Sequence, residues 1–271
     1  MKKLTIITIN YNNASGLKKT LDSVAAQSTM DFEYVIVDGA STDGSVDIIR
    51  EFDSLNAQRS TLNAFTWVSE KDTGIYNAMN KGIRMASGEY LLFLNSGDAL
   101  ENPDVVKNFL SANVTADVAT GIERMPNGRL IYAPKDSDLS YAFFYEDTLL
   151  HQSTFIRRDA FERYGSYRED YRIVSDWEWF FRAIVRDGAT YQALDFVVAD
   201  FDGEGMSNDS KHRALQDKER EQVHQEILPR VRIDYGELLQ LRKVVTEYQH
   251  LREGKFGGLV NLFLRLKSKS K

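Results

Sequence analysis

Short apolar segments alternate with helical patterns over the first 95 residues, and this alternation restricts the possible folds more than any other feature. Residues 4–9 form a continuous run rich in β-branched side chains, which is typical of a strand covered on both faces. Residues 32–37, 64–68 and 90–94 repeat the pattern, with helical spacing between them. We therefore predict an α/β fold with a mostly parallel, doubly wound sheet.

Small polar residues follow each predicted strand, at positions 10–12, 38–41, 69–72 and 95–98. In open parallel sheets, ligands bind outside the carboxyl ends of the strands. We therefore expect carboxylates, amides and glycines to gather at one rim of the sheet. Turns into helices favour the same residue types for capping alone, so the pattern also has a purely structural interpretation.

Composition excludes several classes of protein. The 271 residues contain no cysteine, which rules out a disulfide scaffold, a thiol nucleophile and any cysteine-based metal centre. A formal charge of −6 argues against a nucleic-acid partner, since phosphate backbones attract basic surfaces. The sequence has neither an apolar run of 18 residues nor a pattern typical of a secretion signal, so we expect a cytoplasmic protein.

The common nucleotide and hydrolase motifs are missing. No GxGxxG follows the first strand, and neither GxxxxGK[ST] nor GxSxG occurs. The remaining signal is the acidic, amide-rich rim. Asp98, directly after a strand, is a candidate oxygen ligand for a divalent cation that neutralises a diphosphate. Asp176, in the first turn of a predicted helix, is a candidate general base.

Five ordered segments resemble family 2 glycosyltransferases with the nucleotide-diphospho-sugar transferase (GT-A) fold. They are residues 5–12, 37–45, 74–82, 86–98 and 175–182, and the resemblance covers roughly residues 3–210. It implies a GT-A fold followed by C-terminal helices. It also implies an inverting transfer of sugar from a nucleotide diphosphate to an acceptor hydroxyl, as in bacterial capsule, exopolysaccharide and lipopolysaccharide assembly.

The resemblance also implies roles for individual residues. It assigns nucleotide binding to Thr8, Asn10, Tyr11, Asp38, Asp72 and Asn80. It assigns contact with the diphosphate to Asn95, Ser96 and Asp98, with Asp98 as ligand of a Mn²⁺ or Mg²⁺ cofactor, and the general base to Asp176. The implied partners are a nucleotide-sugar donor, of which a UDP-sugar is the first expectation, and a saccharide or lipid-linked saccharide acceptor.

Three departures separate this sequence from the family pattern. The usual DxD motif reads Asn95-Ser96-Gly97, so Asp98 is the only carboxylate of its loop, and His151 is a candidate to complete the metal shell. The family's paired aspartates after strand two are Asp38-Gly39, which bears on the preference for uridine. The acidic pair of the catalytic helix is Ser175-Asp176, which keeps the member that the mechanism requires.

We predict a catalytic domain over residues 1–210, with a nucleotide-binding half at 1–98 and an acceptor half at 99–210, and a helical extension over 211–271. The last 22 residues carry six basic side chains and one acidic one, mixed with apolar residues. Two interpretations of this tail stay open. It lies peripherally on the anionic inner face of the cytoplasmic membrane, or it is a packed or dimerising helix with a solvated basic end.

Two other functions also stay open at this stage. The depleted DxD loop is compatible with a non-catalytic module that binds nucleotide sugars. A sugar nucleotidyltransferase would share the sheet and the metal, but it usually has a glycine-rich basic loop after strand one. The sequence has Asn10-Tyr11-Asn12-Asn13 at that place.

Overall fold

A computed structural model describes the chain over residues 2–59, 62, 64–203, 205 and 210–253. It comprises two compact units, Met1–Val223 and His224–Lys271. The basic tail beyond residue 253, for which the sequence leaves two interpretations, lies outside the described residues. Within the described parts of the chain, no helix has both the length and the apolar content needed to cross a bilayer.

Nine strands and nine α-helices are described, and the first four strands fall where the apolar runs predict them. The strands are β1 Leu4–Asn10, β2 Glu33–Asp38, β3 Phe65–Ser69, β4 Tyr90–Phe93, β5 Ala99–Leu100, β6 Val118–Arg124, β7 Leu130–Ile131, β8 Thr154–Arg157 and β9 Tyr191–Asp200. The helices are α1 Ala14–Ala25, α2 Ser45–Arg59, α3 Ile75–Met85, α4 Val105–Ser111, α5 Tyr141–Glu146, α6 Ala160–Tyr164, α7 Ser175–Phe180, α8 Arg213–Ile227 and α9 Pro229–Glu253. Helix α7 continues as a π-helical turn over Phe181–Arg186.

The strands form one sheet in the order β3-β2-β1-β4-β8-β6-β9-β5, with β7 added beside β6. The first four strands in this order run parallel, which confirms the α/β prediction. Antiparallel neighbours begin where β8 joins β4 and continue between β8 and β6. The strand–helix alternation in the sequence loosens after residue 100, so the mixed half of the sheet comes from the part of the chain without that pattern.

Helices cover both faces of the parallel half. On one face, Leu17 and Leu21 of α1 belong to the same buried cluster as Leu4 and Ile6 of β1. On the other face, α3 packs closely on the sheet at Gly82. A Cβ atom at this glycine would lie 2.5 Å from Cγ2 of Ile7, so the missing side chain allows the close approach. Both faces of β1 are therefore buried, as its continuous apolar run predicts.

The sheet brings the polar strand ends together. Residues Asn10 and Asp38 are register partners at the ends of β1 and β2. Antiparallel pairing of β5 with β9 sets Ala99 opposite Asp200, so the loop after β4 and the loop after β9 are neighbours. This pairing joins segments about 100 residues apart at the rim where ligands bind in such sheets.

Candidate functional site

Asp38 lies at the centre of a hydrogen-bond network that ties the strand ends together. Its side chain is fully buried, and its Oδ1 accepts bonds from Asn10 Nδ2 at 2.7 Å and Ser41 Oγ at 2.6 Å. Its Oδ2 accepts bonds from Ser69 Oγ at 2.6 Å and the Ser41 N–H at 3.0 Å. Burial acts to raise the pKa of Asp38, but these donors outweigh it and hold the pKa below its ordinary value. The carboxylate is therefore ionised and saturated by protein groups.

Two of the residues expected to bind nucleotide, Tyr11 and Asp72, meet beside this network at Gly39. A Cβ atom at Gly39 would lie 2.6 Å from Oδ2 of Asp72 and 3.0 Å from Cδ2 of Tyr11. Asp72 also accepts the Gly74 N–H at 3.0 Å, which fixes the turn into α3. Tyr11 is 67% exposed. The side chains of Tyr11 and Asp72 thus occupy the place that a side chain on residue 39 would take, directly over the backbone after β2.

Thr8 and Asn80, also expected to bind nucleotide, are buried and make contacts within the fold. Thr8 Oγ1 donates to the Leu94 carbonyl at 2.8 Å and joins β1 to the end of β4. Asn80 Nδ2 donates to the Tyr167 carbonyl and to Glu169 Oε1, both at 2.9 Å. Neither side chain lies in the group formed by Tyr11, Gly39 and Asp72.

The loop after β4 is a tight turn that contains unpaired oxygen atoms. Gly97 has φ +112°, a conformation that glycine adopts without strain. The Ser96 N–H donates to the Ile9 carbonyl at 3.1 Å, so the loop is fixed to the end of β1. The buried atoms Asn95 Oδ1 and Ser96 Oγ have no hydrogen-bond partner among the described residues. Buried oxygens without partners are costly, and a bound ligand would satisfy them.

Asp98, at the end of this loop, has a raised pKa, whereas the pKa of Asp38 is lowered. Its side chain is 5% exposed, and its Oδ1 accepts the Asp202 N–H at 3.1 Å. Burial raises the pKa of Asp98 to about 6, and the Asp202 carboxylate acts in the same direction. The Asp202 N–H and the positive charge of His151 lower it, but not enough to offset burial. Ionisation of Asp98 is therefore costly, and a nearby cation would stabilise the charged form.

Asp176 is held by two donors at the start of α7. Its Oδ1 accepts the Tyr76 hydroxyl at 2.8 Å, and its Oδ2 lies 3.1 Å from Nδ1 of His151. Burial acts to raise the pKa of Asp176, but His151 and Tyr76 outweigh it, so the pKa lies below its ordinary value. The carboxylate is ionised at neutral pH, and both it and the imidazole keep one fifth of their surface exposed.

His151 connects Asp176 to the loop after β4. Its Nε2 lies 3.1 Å from Nδ2 of Asn95, and the tautomer with a proton on Nδ1 satisfies both contacts. When it is protonated, His151 also lowers the pKa of Asp98, so both aspartates lie within electrostatic reach of one imidazole. The sequence singles out His151 only as a candidate for the metal shell. Its contacts in the structure are with Asn95 and Asp176.

Glu123 on β6 is a buried carboxyl group that the sequence does not single out. It accepts bonds from Gln152 Nε2 at 3.1 Å and Ser153 Oγ at 3.0 Å. Burial raises the pKa of Glu123 to about 8, with His151 lowering it and Asp98 raising it. No sequence signal distinguishes this glutamate from an exposed residue at the end of a strand, because its partners come from the turn just before β8, about 30 residues later in the chain.

The described segments contain no group of three or more histidine, aspartate or glutamate side chains arranged to hold a metal ion. The donor set at the loop after β4 is nevertheless one of oxygens: a buried carboxylate, an amide oxygen and a hydroxyl. Hard divalent cations prefer such ligands, and Mg²⁺ in particular is often bound by one or two carboxylates together with substrate phosphates. The loop therefore fits a cation that arrives with a phosphorylated ligand.

The mixed sheet with helices on both faces is consistent with a GT-A fold, and comparison with known proteins shows the family. The family model described as Glycosyl transferase family 2 matches residues 5–165. The chain belongs to glycosyltransferase family 2, as the resemblance of its motifs predicts.

Curated relatives carry glycosyltransferase names. The chain is 34% identical over 210 residues to the PGL/p-HBAD biosynthesis glycosyltransferase Rv2957 of Mycobacterium tuberculosis, covering 75% of this chain and 78% of the relative. It is 25% identical over 210 residues to glycosyltransferase GlyA of Streptococcus pneumoniae, covering 76% of this chain but 27% of that larger protein.

Solved structures share the fold. S. aureus TarS 1–349 in complex with UDP-GlcNAc matches with a TM-score of 0.61 and 22% identity, over 78% of this chain and 61% of that one. The mannosyltransferase PcManGT of Pyrobaculum calidifontis, in complex with GDP-Man and Mn²⁺, matches with a TM-score of 0.58 and 20% identity, over 76% and 59%. The match thus spans about three fifths of each of these two chains.

Proposed function

We propose that this glycosyltransferase transfers a sugar, with inversion, from a UDP-sugar to a hydroxyl group of a bacterial surface glycan, either a saccharide or a lipid-linked saccharide. The observation that carries the proposal is the chain of contacts from Asp176 through His151 to Asn95. It connects a candidate base for the acceptor with the loop proposed to meet the donor diphosphate. In this account, residues 1–98 bind the donor and residues 99–210 bind the acceptor.

The donor nucleotide binds at the ends of β1, β2 and β3. Tyr11 supplies an exposed aromatic ring on which a base stacks, and Asp72 supplies a carboxylate that accepts hydrogen bonds from the nucleotide. Asp38 and Asn10 hold the strand ends at the correct separation. The UDP-GlcNAc and GDP-Man complexes of TarS and PcManGT support a nucleotide-sugar donor for the shared fold.

Asp98, with Asn95 and Ser96 beside it, is proposed to hold a Mn²⁺ or Mg²⁺ ion against the diphosphate. Two properties of the loop support this assignment, namely the costly ionisation of Asp98 and the unpaired oxygens of Asn95 and Ser96 among the described residues. When bound, the ion supplies Lewis-acid stabilisation of the negative charge that develops on the departing nucleotide diphosphate.

Asp176 is the proposed general base. The acceptor oxygen attacks the anomeric carbon of the donor sugar and forms the new glycosidic bond. The bond from the anomeric carbon to the diphosphate oxygen breaks, and its electron pair stays on the departing diphosphate. The hydroxyl proton of the acceptor moves to Asp176. Because the hydrogen bonds from Tyr76 and His151 lower the pKa of Asp176, it is a weak base toward a free alcohol. Asp176 therefore takes the proton only as the glycosidic bond forms, because the acceptor hydroxyl becomes acidic at that point. Tyr76 and His151 meanwhile fix the orientation of the carboxylate.

A donor screen tests the proposal. The melting temperature is measured with UDP- and GDP-sugars, each with and without Mn²⁺, because a ligand that binds only the folded state raises it. We expect the largest increase with a UDP-sugar and Mn²⁺ together. Release of UDP is then measured with that donor and a glycan acceptor. An increase in melting temperature without any release of UDP would instead favour a non-catalytic module that binds nucleotide sugars.

A further inference from the structure

The carboxylate of Asp202 lies where a side chain on residue 97 would lie. A Cβ atom built on Gly97 would be 2.7 Å from Oδ2 of Asp202 and 3.1 Å from its Cγ. Gly97 stands at the second acidic position of the family's DxD motif, so the loop after β4 lacks one carboxylate. Another carboxylate, from a residue about 100 positions later in the chain, lies at the same place.

This placement is built into the sheet. Strand β5 follows the loop directly and pairs antiparallel with the end of β9, with Ala99 opposite Asp200. The Asp202 N–H then donates to Oδ1 of Asp98 at 3.1 Å, which fixes the backbone of residue 202 against the loop. The two carboxylates therefore belong to segments that are joined by backbone pairing and by a direct hydrogen bond.

We propose that Asp202 is a second protein ligand of the divalent cation, supplied from the end of β9 in place of a carboxylate at residue 97. The inference rests on the proposed function, since it concerns the same cation and diphosphate. The unpaired buried oxygens of Asn95 and Ser96, on the same loop and among the described residues, are an independent sign that a ligand belongs there.

Lys19 offers a way to separate this role from general surface charge. Its Nζ lies 3.9 Å from Oδ1 of Asp202 and 3.6 Å from Oδ2 of Asp200. Both aspartates thus contact the same lysine and both lie at the end of β9, but it is Asp202 that bonds to Asp98 and lies against Gly97. Asp200→Asn is therefore a matched control for Asp202→Asn.

The experiment measures Mn²⁺ binding in the presence of excess UDP by the electron paramagnetic resonance signal of free Mn²⁺. The proteins are the unchanged chain, Asp98→Asn, Asp202→Asn, Asp202→Ala and Asp200→Asn, and circular dichroism without metal verifies that each is folded. We expect both Asp202 variants to weaken Mn²⁺ binding at least about tenfold, because a charged ligand is lost. Asp98→Asn should weaken it at least as much, and Asp200→Asn should change it less than about twofold.

The other outcomes distinguish a failure of this inference from a failure of the proposed function. If the Asp202 variants bind Mn²⁺ like the unchanged chain while Asp98→Asn does not, Asp202 is not a ligand and the proposed function stands. If Asp200→Asn weakens binding as much as Asp202→Asn, the effect is one of general charge and the inference fails. If Asp98→Asn binds normally, or the unchanged chain binds no Mn²⁺, the proposed role of Asp98 fails together with this inference.

Discussion

Two aspartates have oppositely shifted pKa values although each lies at or just beyond the end of a strand that neighbours β1. Asp38, the last residue of β2, accepts four hydrogen bonds from protein donors, and its pKa is lowered. Asp98, after β4, accepts the N–H of Asp202, and burial raises its pKa to about 6. The Asp38 carboxylate is thus fully paired within the protein, whereas the charge of the Asp98 carboxylate is poorly compensated.

The comparison shows how a structural carboxylate differs from one that serves a ligand. A saturated carboxylate such as Asp38 stabilises the fold, so its loss should be seen first in stability. An uncompensated carboxylate such as Asp98 lowers the stability of the fold. We therefore expect it to serve a ligand, here the proposed cation.

Asp176→Asn should give the largest effect. Removal of the base should lower kcat about 10²–10⁴-fold, because only the transition state needs it. Binding of the UDP-sugar should change little, as measured by isothermal titration with Mn²⁺ present. Asp170→Asn, which removes an exposed carboxylate paired with Arg168, serves as control. Near-normal turnover of Asp176→Asn would refute the assignment of the base.

His151→Ala should reduce kcat about tenfold or more, with a smaller change in KM for the donor. The imidazole touches Asp176 and Asn95, so its loss leaves the carboxylate free to rotate and the loop less fixed. His151→Asn keeps a donor near Asp176 and should recover part of the loss. If both variants lost the same activity and melted at a much lower temperature, His151 would be a structural residue and not a positioning one.

Asp38→Asn and Asp98→Asn should shift stability in opposite directions in metal-free buffer at pH 7.5. Asp38→Asn should lower the free energy of unfolding by about 1–3 kcal/mol, because donors that bond to the carboxylate are left unpaired. Asp98→Asn should raise it by about 1–2 kcal/mol, because a buried charge is removed.

The pH dependence of the free energy of unfolding, measured in urea, tests the sign of each stability change. A raised folded-state pKa means that Asp98 costs stability progressively as pH rises from about 4 to 6, so the gain from Asp98→Asn should vanish at pH 4. The loss from Asp38→Asn should shrink as pH falls below about 4, because the carboxyl group takes up a proton there in the unfolded chain while its lowered pKa keeps it ionised in the folded one. Equal shifts of the same sign would break the comparison between the two rims.

Glu123→Gln should give the smallest effect on activity, and it should change stability only at high pH. With a folded-state pKa of about 8, Glu123 destabilises the fold progressively as pH rises from about 4.5 to 8, beside the charges of Asp98 and His151. The variant should be close to the unchanged chain in melting temperature at pH 5 and above it at pH 9. A constant difference at both pH values would show that the carboxyl group does not titrate in this range.

The sequence predicts the parallel half of the sheet well, for a clear physical reason. Strands covered on both faces need continuous apolar runs, as in Leu4–Asn10, and such runs are visible without knowledge of their partners. The motif resemblance singles out Asp98 and Asp176 as candidates, and their roles stay predictions. The placement of Thr8 and Asn80 in contacts within the fold is not visible, because their partners Leu94 and Tyr167 lie 86 and 87 residues away.

The contacts that organise the site are also hidden in the sequence. The bond between Asp202 and Asp98 spans 104 positions and depends on the pairing of β5 with β9, two strands that share no visible pattern. The contact of His151 with Asp176 depends on where α7 begins relative to β8. These are consequences of tertiary register, which local periodicity does not encode.

Anomalous diffraction from crystals grown with Mn²⁺ and a UDP-sugar tests the central claim most directly, namely that the loop after β4 is completed by the donor and its ion. We expect an anomalous peak within bonding distance of the Asp98 carboxylate and the diphosphate, with the anomeric carbon on the side of Asp176. A diphosphate bound away from Asn95, Ser96 and Asp98, or a Mn²⁺ peak without contact to Asp98, would contradict the account.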